Sequence, residues 1–182
     1  IVVNCFNGEE FLAEALDSIV CQTFTDWELL FWDNHSTDSS SSIFHSYDDP
    51  RFNYFYAPSF TTLAEARFLA INYCKAFWIG FIDCDDIWLP NKLELQVDAL
   101  VSSELANVGL IYGSSRLFGS SLNQNHPYHK NNCLLSPPLG LNPSIYTNPS
   151  VLSYRNIVGF CSALYRKDLI QELNQVVEFD LI

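Results

Sequence analysis

The sequence predicts an α/β fold, a single domain with a mostly parallel central sheet flanked by helices. Three observations point to it. Short apolar runs of strand length alternate along the chain with stretches whose apolar residues recur at helical spacing. The run Phe77-Trp78-Ile79-Gly80-Phe81-Ile82 is apolar throughout, as suits a strand buried on both faces of a parallel sheet. Three carboxylates, Asp83, Asp85 and Asp86, follow it directly, at the strand end beyond which open α/β sheets bind ligands.

Residues 1–4 read as the first strand and 5–8 as a turn. Residues 9–20 read as a helix, because Phe11, Leu12, Ala15, Leu16 and Ile19 fall on one face. After a turn at 22–26, residues 27–32 form the second strand, with Asp33 at its end. A helix over 36–47 follows, with Ser36 as its N-cap, and Asp49-Pro50 breaks it. Residues 52–56 are a short third strand and 63–73 a helix. Residues 78–82 are the fourth strand. Pro90 then suits the first turn of a helix reaching Ser102 and burying Leu93, Val97 and Leu100. Residues 108–112 read as a fifth strand, 162–165 as a short strand and 166–173 as a helix. Between them, 120–156 is rich in Ser, Asn and Pro, and a loop of that length is usually functional or mobile.

The 182 residues suffice for one domain with a real core, and 48% hydrophobic with 15% aromatic residues marks a globular chain. A net charge of −12 argues against binding nucleic acid through a basic face. The six cysteines, at 5, 21, 74, 84, 133 and 161, form no Cys-x-x-Cys pair. They read as free thiols in a reducing compartment, with Cys84 a small inward-facing residue. No run approaches the roughly 18 consecutive apolar residues of a membrane helix, and no signal peptide is visible. The expected location is cytoplasmic. The absence of Met and a start in mid-strand suggest a piece of a longer protein, whose other parts could bring it to the cytoplasmic membrane face.

An Asp-x-Asp alone often does no more than start a turn or cap a helix. Here three carboxylates crowd one strand end, which is costly without a cation, and oxygen ligands suit Mg²⁺ or Mn²⁺. The run therefore predicts a divalent metal, and through it a phosphate-bearing ligand.

Four segments fall in order along the chain. They are Asn4-Cys5-Phe6-Asn7, Trp32-Asp33-Asn34-His35-Ser36-Thr37-Asp38, Ala66-Arg67, and the stretch from Phe81 to Glu94 that includes Asp83-Cys84-Asp85-Asp86 and Trp88-Leu89-Pro90-Asn91-Lys92-Leu93. Together they make the chain resemble the family 2 glycosyltransferases of the GT-A fold. The resemblance implies inverting transfer of a sugar from a nucleotide-diphosphate donor, a UDP-sugar by preference, to a carbohydrate or lipid-linked acceptor in polysaccharide biosynthesis. Residues 1–113 would be the nucleotide-sugar half and 114–182 the acceptor half, cut short at the C-terminus. Asp33 would contact the base, with Asn34 beside it and Asn4 and Phe6 lining the pocket. Arg67 would lie near the phosphates. Asp83 would face the ribose and Asp85 would hold Mn²⁺ or Mg²⁺ at the diphosphate, with Cys84 between them and Asp86 supporting the loop or a metal-bound water.

The chain departs from the family pattern in several places. Asn34 and His35 stand where the family often has Asp and Gly; His is among the residues enriched at positive φ. Ala76-Phe77 replaces a Gly-Glu, and Phe68 an Asn. The family's general base follows a segment that Val177-Glu178-Phe179-Asp180 resembles, so the base is expected beyond Ile182, with Asp180 and Glu178 as fallbacks. A nucleotide-sugar-binding module without transferase activity is the alternative. A nucleotidyltransferase would want a Gly-rich basic loop near the N-terminus, and residues 4–10 offer none. His126 and His129 read as loop residues, His35 as a turn residue and His45 as a helix-surface residue. The four Trp read as packing residues, with Trp88 the one to test because it follows the acidic run.

Overall fold

A computed structural model describes residues 1–102, 108–113 and 160–176. The expectations for 114–159 and 177–182, which include His126, His129, Glu178 and Asp180, lie outside them.

The chain runs β1 (Val2–Cys5), α1 (Leu12–Val20), β2 (Leu29–Asp33), α2 (Ser40–His45), β3 (Phe52–Tyr56), α3 (Leu63–Ile71), β4 (Trp78–Asp83), α4 (Lys92–Ser102) and β5 (Leu110–Tyr112). A 3₁₀ turn (Phe160–Ser162), β6 (Ala163–Arg166) and α5 (Lys167–Val176) follow. The strands form one sheet in the order β3-β2-β1-β4-β6-β5. β1 is parallel to β2 and β4, and β2 to β3, while β6 lies antiparallel between β4 and β5.

Helices cover both faces. Leu12, Leu16 and Ile19 of α1, Phe44 of α2 and Leu93 of α4 pack with Val3, Phe31 and Ile82. Ala66, Ala70 and Ile71 of α3 pack on the other face with Val2, Leu30, Trp32 and Phe81, joined by Ile170 of α5. With both faces covered, β1 and β2 are buried at every position, which suits their largely apolar residues; Asn4 and Asp33, near their C-terminal ends, are the polar exceptions. Gly80 sits inside β4 because a Cβ there would meet Leu164 Cδ2 and Trp88 Cη2, each at 2.9 Å.

Two helices are shorter than their periodicity suggests. Residues 8–11 form a turn in which Phe11 and Leu12 donate to Gly8 O, so α1 begins at Leu12. Ser36 does not cap α2. Its amide donates to Asp33, its hydroxyl accepts from Asn7 N, and α2 starts at Ser40. In α4, Val97 and Leu100 are only half-buried, while Gln96 is buried. The Gln96 amide donates to Ile111 O at 3.4 Å and Ser162 O at 2.9 Å, pinning α4 to the ends of β5 and β6. Among the described residues, no helix is long and apolar enough to cross a membrane.

Candidate active site

The chain winds from β1 outward to β3, then returns to place β4 on the other side of β1. The crevice between the C-terminal ends of β1 and β4 is therefore the switch point where a doubly wound sheet takes its ligand. At that level Asn4 lies in register with Trp32 on one side and Asp83 on the other.

The acidic run ends β4 and turns tightly, Asp86 N donating to Asp83 O at 3.1 Å. The turn brings Asp86 back beside Asp83, and Cys161 reaches the same place from the 3₁₀ turn. One ligand atom from each of Asp83, Asp86 and Cys161 lies within 4.8 Å of the others, and the Cys161 thiol donates to Asp83 Oδ2 at 3.4 Å. This set differs from the expected pairing of Asp83 with Asp85, since Asp85 stands exposed beside it. Burial, reinforced by Asp83 and Asp85, pushes the Asp86 carboxyl above its usual range. Burial also raises the Cys161 thiol, with Asp83 and Asp86 adding to the shift. Both groups thus resist charge until a cation compensates. Two carboxylates and a thiol fit a divalent metal: the oxygens suit Mg²⁺ or Mn²⁺, and the sulfur favours the softer ions of the series.

A cation of the protein's own stands beside these acids. Thr62 caps α3 in a capping box with Glu65, and Arg67 follows in the next turn. Its guanidinium donates to Asp83 Oδ1 at 2.6 Å and Oδ2 at 2.9 Å and stacks 4.0 Å over the Phe160 ring. Arg67 Nε and both amide atoms of Asn4 are buried with no partner among the described residues. Polar atoms in that state call for water or a ligand.

The residues expected to line the base pocket divide into two groups. Asp33 is fully buried, accepting from Ser36 N at 2.7 Å and from the Tyr54 hydroxyl at 2.5 Å. Burial and this bond push the Tyr54 hydroxyl up to about 12, so it stays a donor. Asn34 is equally committed, giving Nδ2–H to Thr61 O at 2.8 Å and accepting from Thr61 N and Oγ1, each at 3.2 Å. Both side chains therefore organise the wall. The open part of the mouth is Phe6, half-exposed and 4.8 Å from the equally exposed Phe60 ring. His35 takes the left-handed conformation expected of the family's Gly, at φ 69°, with Nδ1 3.2 Å from the Tyr56 hydroxyl. Trp88 is a packing residue: its indole N–H donates to Cys161 O at 3.0 Å.

The sequence places Phe160 and Cys161 in a stretch, 156–162, that reads either as acceptor-side lining or as a strand; the antiparallel return of β6 beside β4 brings both to the acidic loop.

Comparison with known proteins bears on the family and the fold. The family description "Glycosyl transferase family 2" matches residues 1–173. The chain is 29% identical over 121 residues to the Escherichia coli UDP-Glc:alpha-D-GlcNAc-diphosphoundecaprenol beta-1,3-glucosyltransferase WfgD, covering 66% of this chain and 47% of that one. Among solved structures it resembles Staphylococcus aureus TarS 1–349 in complex with UDP-GlcNAc, with a TM-score of 0.64 and 17% identity. That match covers 95% of this chain and 46% of the other. It also resembles the mannosyltransferase PcManGT of Pyrobaculum calidifontis in complex with GDP-Man and Mn²⁺, with a TM-score of 0.62 and 16% identity over 94% of this chain and 45% of the other. At these identities the structures establish the shared GT-A fold. The chain spans about half the length of the curated relatives it matches. On its fold and on a family match that spans nearly all its residues, the chain belongs to glycosyltransferase family 2.

Proposed function

We propose that this chain is the donor-binding part of an inverting, metal-assisted glycosyltransferase that moves a sugar from a UDP-sugar to an acceptor hydroxyl. One observation carries the proposal. At the β1/β4 switch point an arginine clamped on Asp83 stands beside a carboxylate set able to hold a divalent cation. A nucleotide diphosphate with its metal needs both: a cationic group for the phosphates and acidic ligands for the metal.

Residues 1–113 form the donor half. The Phe6 and Phe60 rings offer flat faces for the base, and the unpartnered Asn4 amide offers a donor and an acceptor beneath it. Asp33 and Asn34 hold the wall in place, and a base contact by Asp33 would use a remaining lone pair. Asp83 faces the ribose and the metal. Asp85 is exposed and free to join Asp83 and Asp86 at the metal, with the Cys161 thiol beside them. Bound Mn²⁺ or Mg²⁺ supplies Lewis-acid stabilisation of the departing diphosphate. Arg67 complements the same charge from the α3 side. The acceptor half, 114–182 and beyond, supplies the base that takes the acceptor proton. Inversion follows from a single displacement.

The E. coli relative's name specifies a UDP-Glc donor and a lipid-linked acceptor. We take a carbohydrate or lipid-linked acceptor in polysaccharide biosynthesis for this chain, at the cytoplasmic membrane face through parts outside it. The solved neighbours hold UDP-GlcNAc in one case and GDP-Man in another, so the base is a point to test.

The test is thermal unfolding with UDP, GDP or ADP, each with Mn²⁺. UDP at about a hundredfold excess over its Kd should raise the Tm by roughly 5–10 °C. Arg67→Met should remove most of the rise. A larger rise with GDP or ADP would reassign the base, and no rise with any of the three would refute the proposal.

A further inference from the structure

The function above leaves one pair of reactive side chains unused. Cys5 is the last residue of β1, and Cys84 follows the last residue of β4. Because Asn4 is in register with Asp83, Cys5 and Cys84 are the next cross-strand neighbours, with side chains on the same face. Adjacent strands lie roughly 4.8 Å apart. That falls inside the window of about 4.4–6.8 Å between Cα atoms that a disulfide requires. Both sulfurs lie 3.0 Å from the point where a Cβ on Gly8 would sit, so the absence of a side chain at Gly8 is what lets them share one space. Both are free in this structure.

We propose that Cys5 and Cys84 form a reversible disulfide that ties the first loop to the acidic loop and weakens donor binding; the second clause rests on the function proposed above. The oxidant is a peroxide. The Cys5 thiolate attacks one peroxide oxygen. An S–O bond forms, the O–O bond breaks, and the released hydroxide takes up a proton to become water. Cys84 then attacks the Cys5 sulfur, forming the S–S bond. The S–O bond breaks, and the second hydroxide leaves as water with the Cys84 proton. Two thiols lose two electrons and one hydrogen peroxide gains them.

The surroundings suit these roles. The Ser36 hydroxyl donates to the Cys5 sulfur at 3.9 Å, which favours a thiolate there. Cys5 is thus the nucleophile of the pair. Cys5 is buried, but Cys84 beside it is part-exposed, so a small oxidant reaches the pair through the cleft. The Cys84 Sγ now donates to Asn4 O at 3.1 Å. Turning it toward Cys5 breaks that bond and ties the first loop to the turn that carries Asp83 and Asp85.

The experiment treats the native protein with hydrogen peroxide, maps its peptides without reduction, and titrates UDP with Mn²⁺ before and after. The proposal expects a Cys5–Cys84 linked peptide and a mass lower by two hydrogens. It also expects at least a tenfold loss of UDP affinity that dithiothreitol restores. Cys5→Ser should keep its affinity through the same treatment, with Cys5→Ala standing in if the serine variant does not fold. A map without the linked peptide overturns the proposal, and so does a linked protein that binds UDP as well as the reduced one. If the reduced protein binds no UDP, the function proposed above fails, and the peptide map alone decides the disulfide.

Discussion

Asn34 shows how one side chain can serve the site without touching a ligand. Its three hydrogen bonds to Thr61 fix the residue just before the N-cap of α3, and through α3 they set the height of Arg67 over Asp83. Asn34→Ala should destabilise the protein by about 1–3 kcal/mol, because Thr61 loses its partners in a half-buried place. It should also weaken donor binding through misplacement of Arg67. Urea denaturation and UDP titration of the same variant check both effects. At this scale the sequence was legible where a residue's role is local: His35 takes the positive φ that a glycine position demands. It was less legible where a role depends on a distant partner. Asp33 and Asn34 read as ligand-facing from their place after β2, and their bonds to Tyr54, Ser36 and Thr61 carried no signal in the sequence.

Among the elements, every strand expected within the described residues forms within two residues of its expected bounds; β1 and β2 are buried at every position, and even the half-buried β3 is rich in aromatic residues that suit a strand. Helix faces were harder to read. Gln96 was not among the residues expected to be buried in α4, yet it is buried and donates to the carbonyls of Ile111 and Ser162. Gln96→Ala should leave both acceptors without that donor and cost about 1–3 kcal/mol, measurable by urea denaturation. If the loss is under about 0.5 kcal/mol, the pinning of α4 to β5 and β6 is not energetically significant. Lys92, one turn earlier, donates to Gln96 Oε1 and lies 3.8 Å over the Trp88 ring. Burial nonetheless lowers its ammonium from 10.5 to about 7. Between those values the unfolded chain binds more protons than the folded one, so this residue makes stability climb as pH rises from about 7 toward 10.5. Below that window its cost is fully present. The Tm difference between wild type and Lys92→Met should therefore shift in favour of wild type across the window, and a difference that does not change with pH would contradict the assignment.

For the whole molecule, the order β3-β2-β1-β4-β6-β5 decides where chemistry can happen. The parallel half was legible from its strand–helix rhythm, since each crossover requires a helix between neighbours. The antiparallel insertion of β6 between β4 and β5 was not, because a strand's own residues do not say which neighbours it pairs with. That insertion delivers Cys161 and Phe160 to the acidic loop, so the proposed donor site takes in a segment 78 residues beyond Asp83. On the proposed function, the acids and the arginine at this switch point bind a nucleotide diphosphate through a divalent metal. The deciding measurement is calorimetric titration of UDP with and without Mn²⁺, into wild type and Asp83→Asn. Binding should require Mn²⁺ and weaken at least tenfold in the variant. A folded wild type that binds no UDP, or binds it equally well without Mn²⁺ and without Asp83, would contradict it.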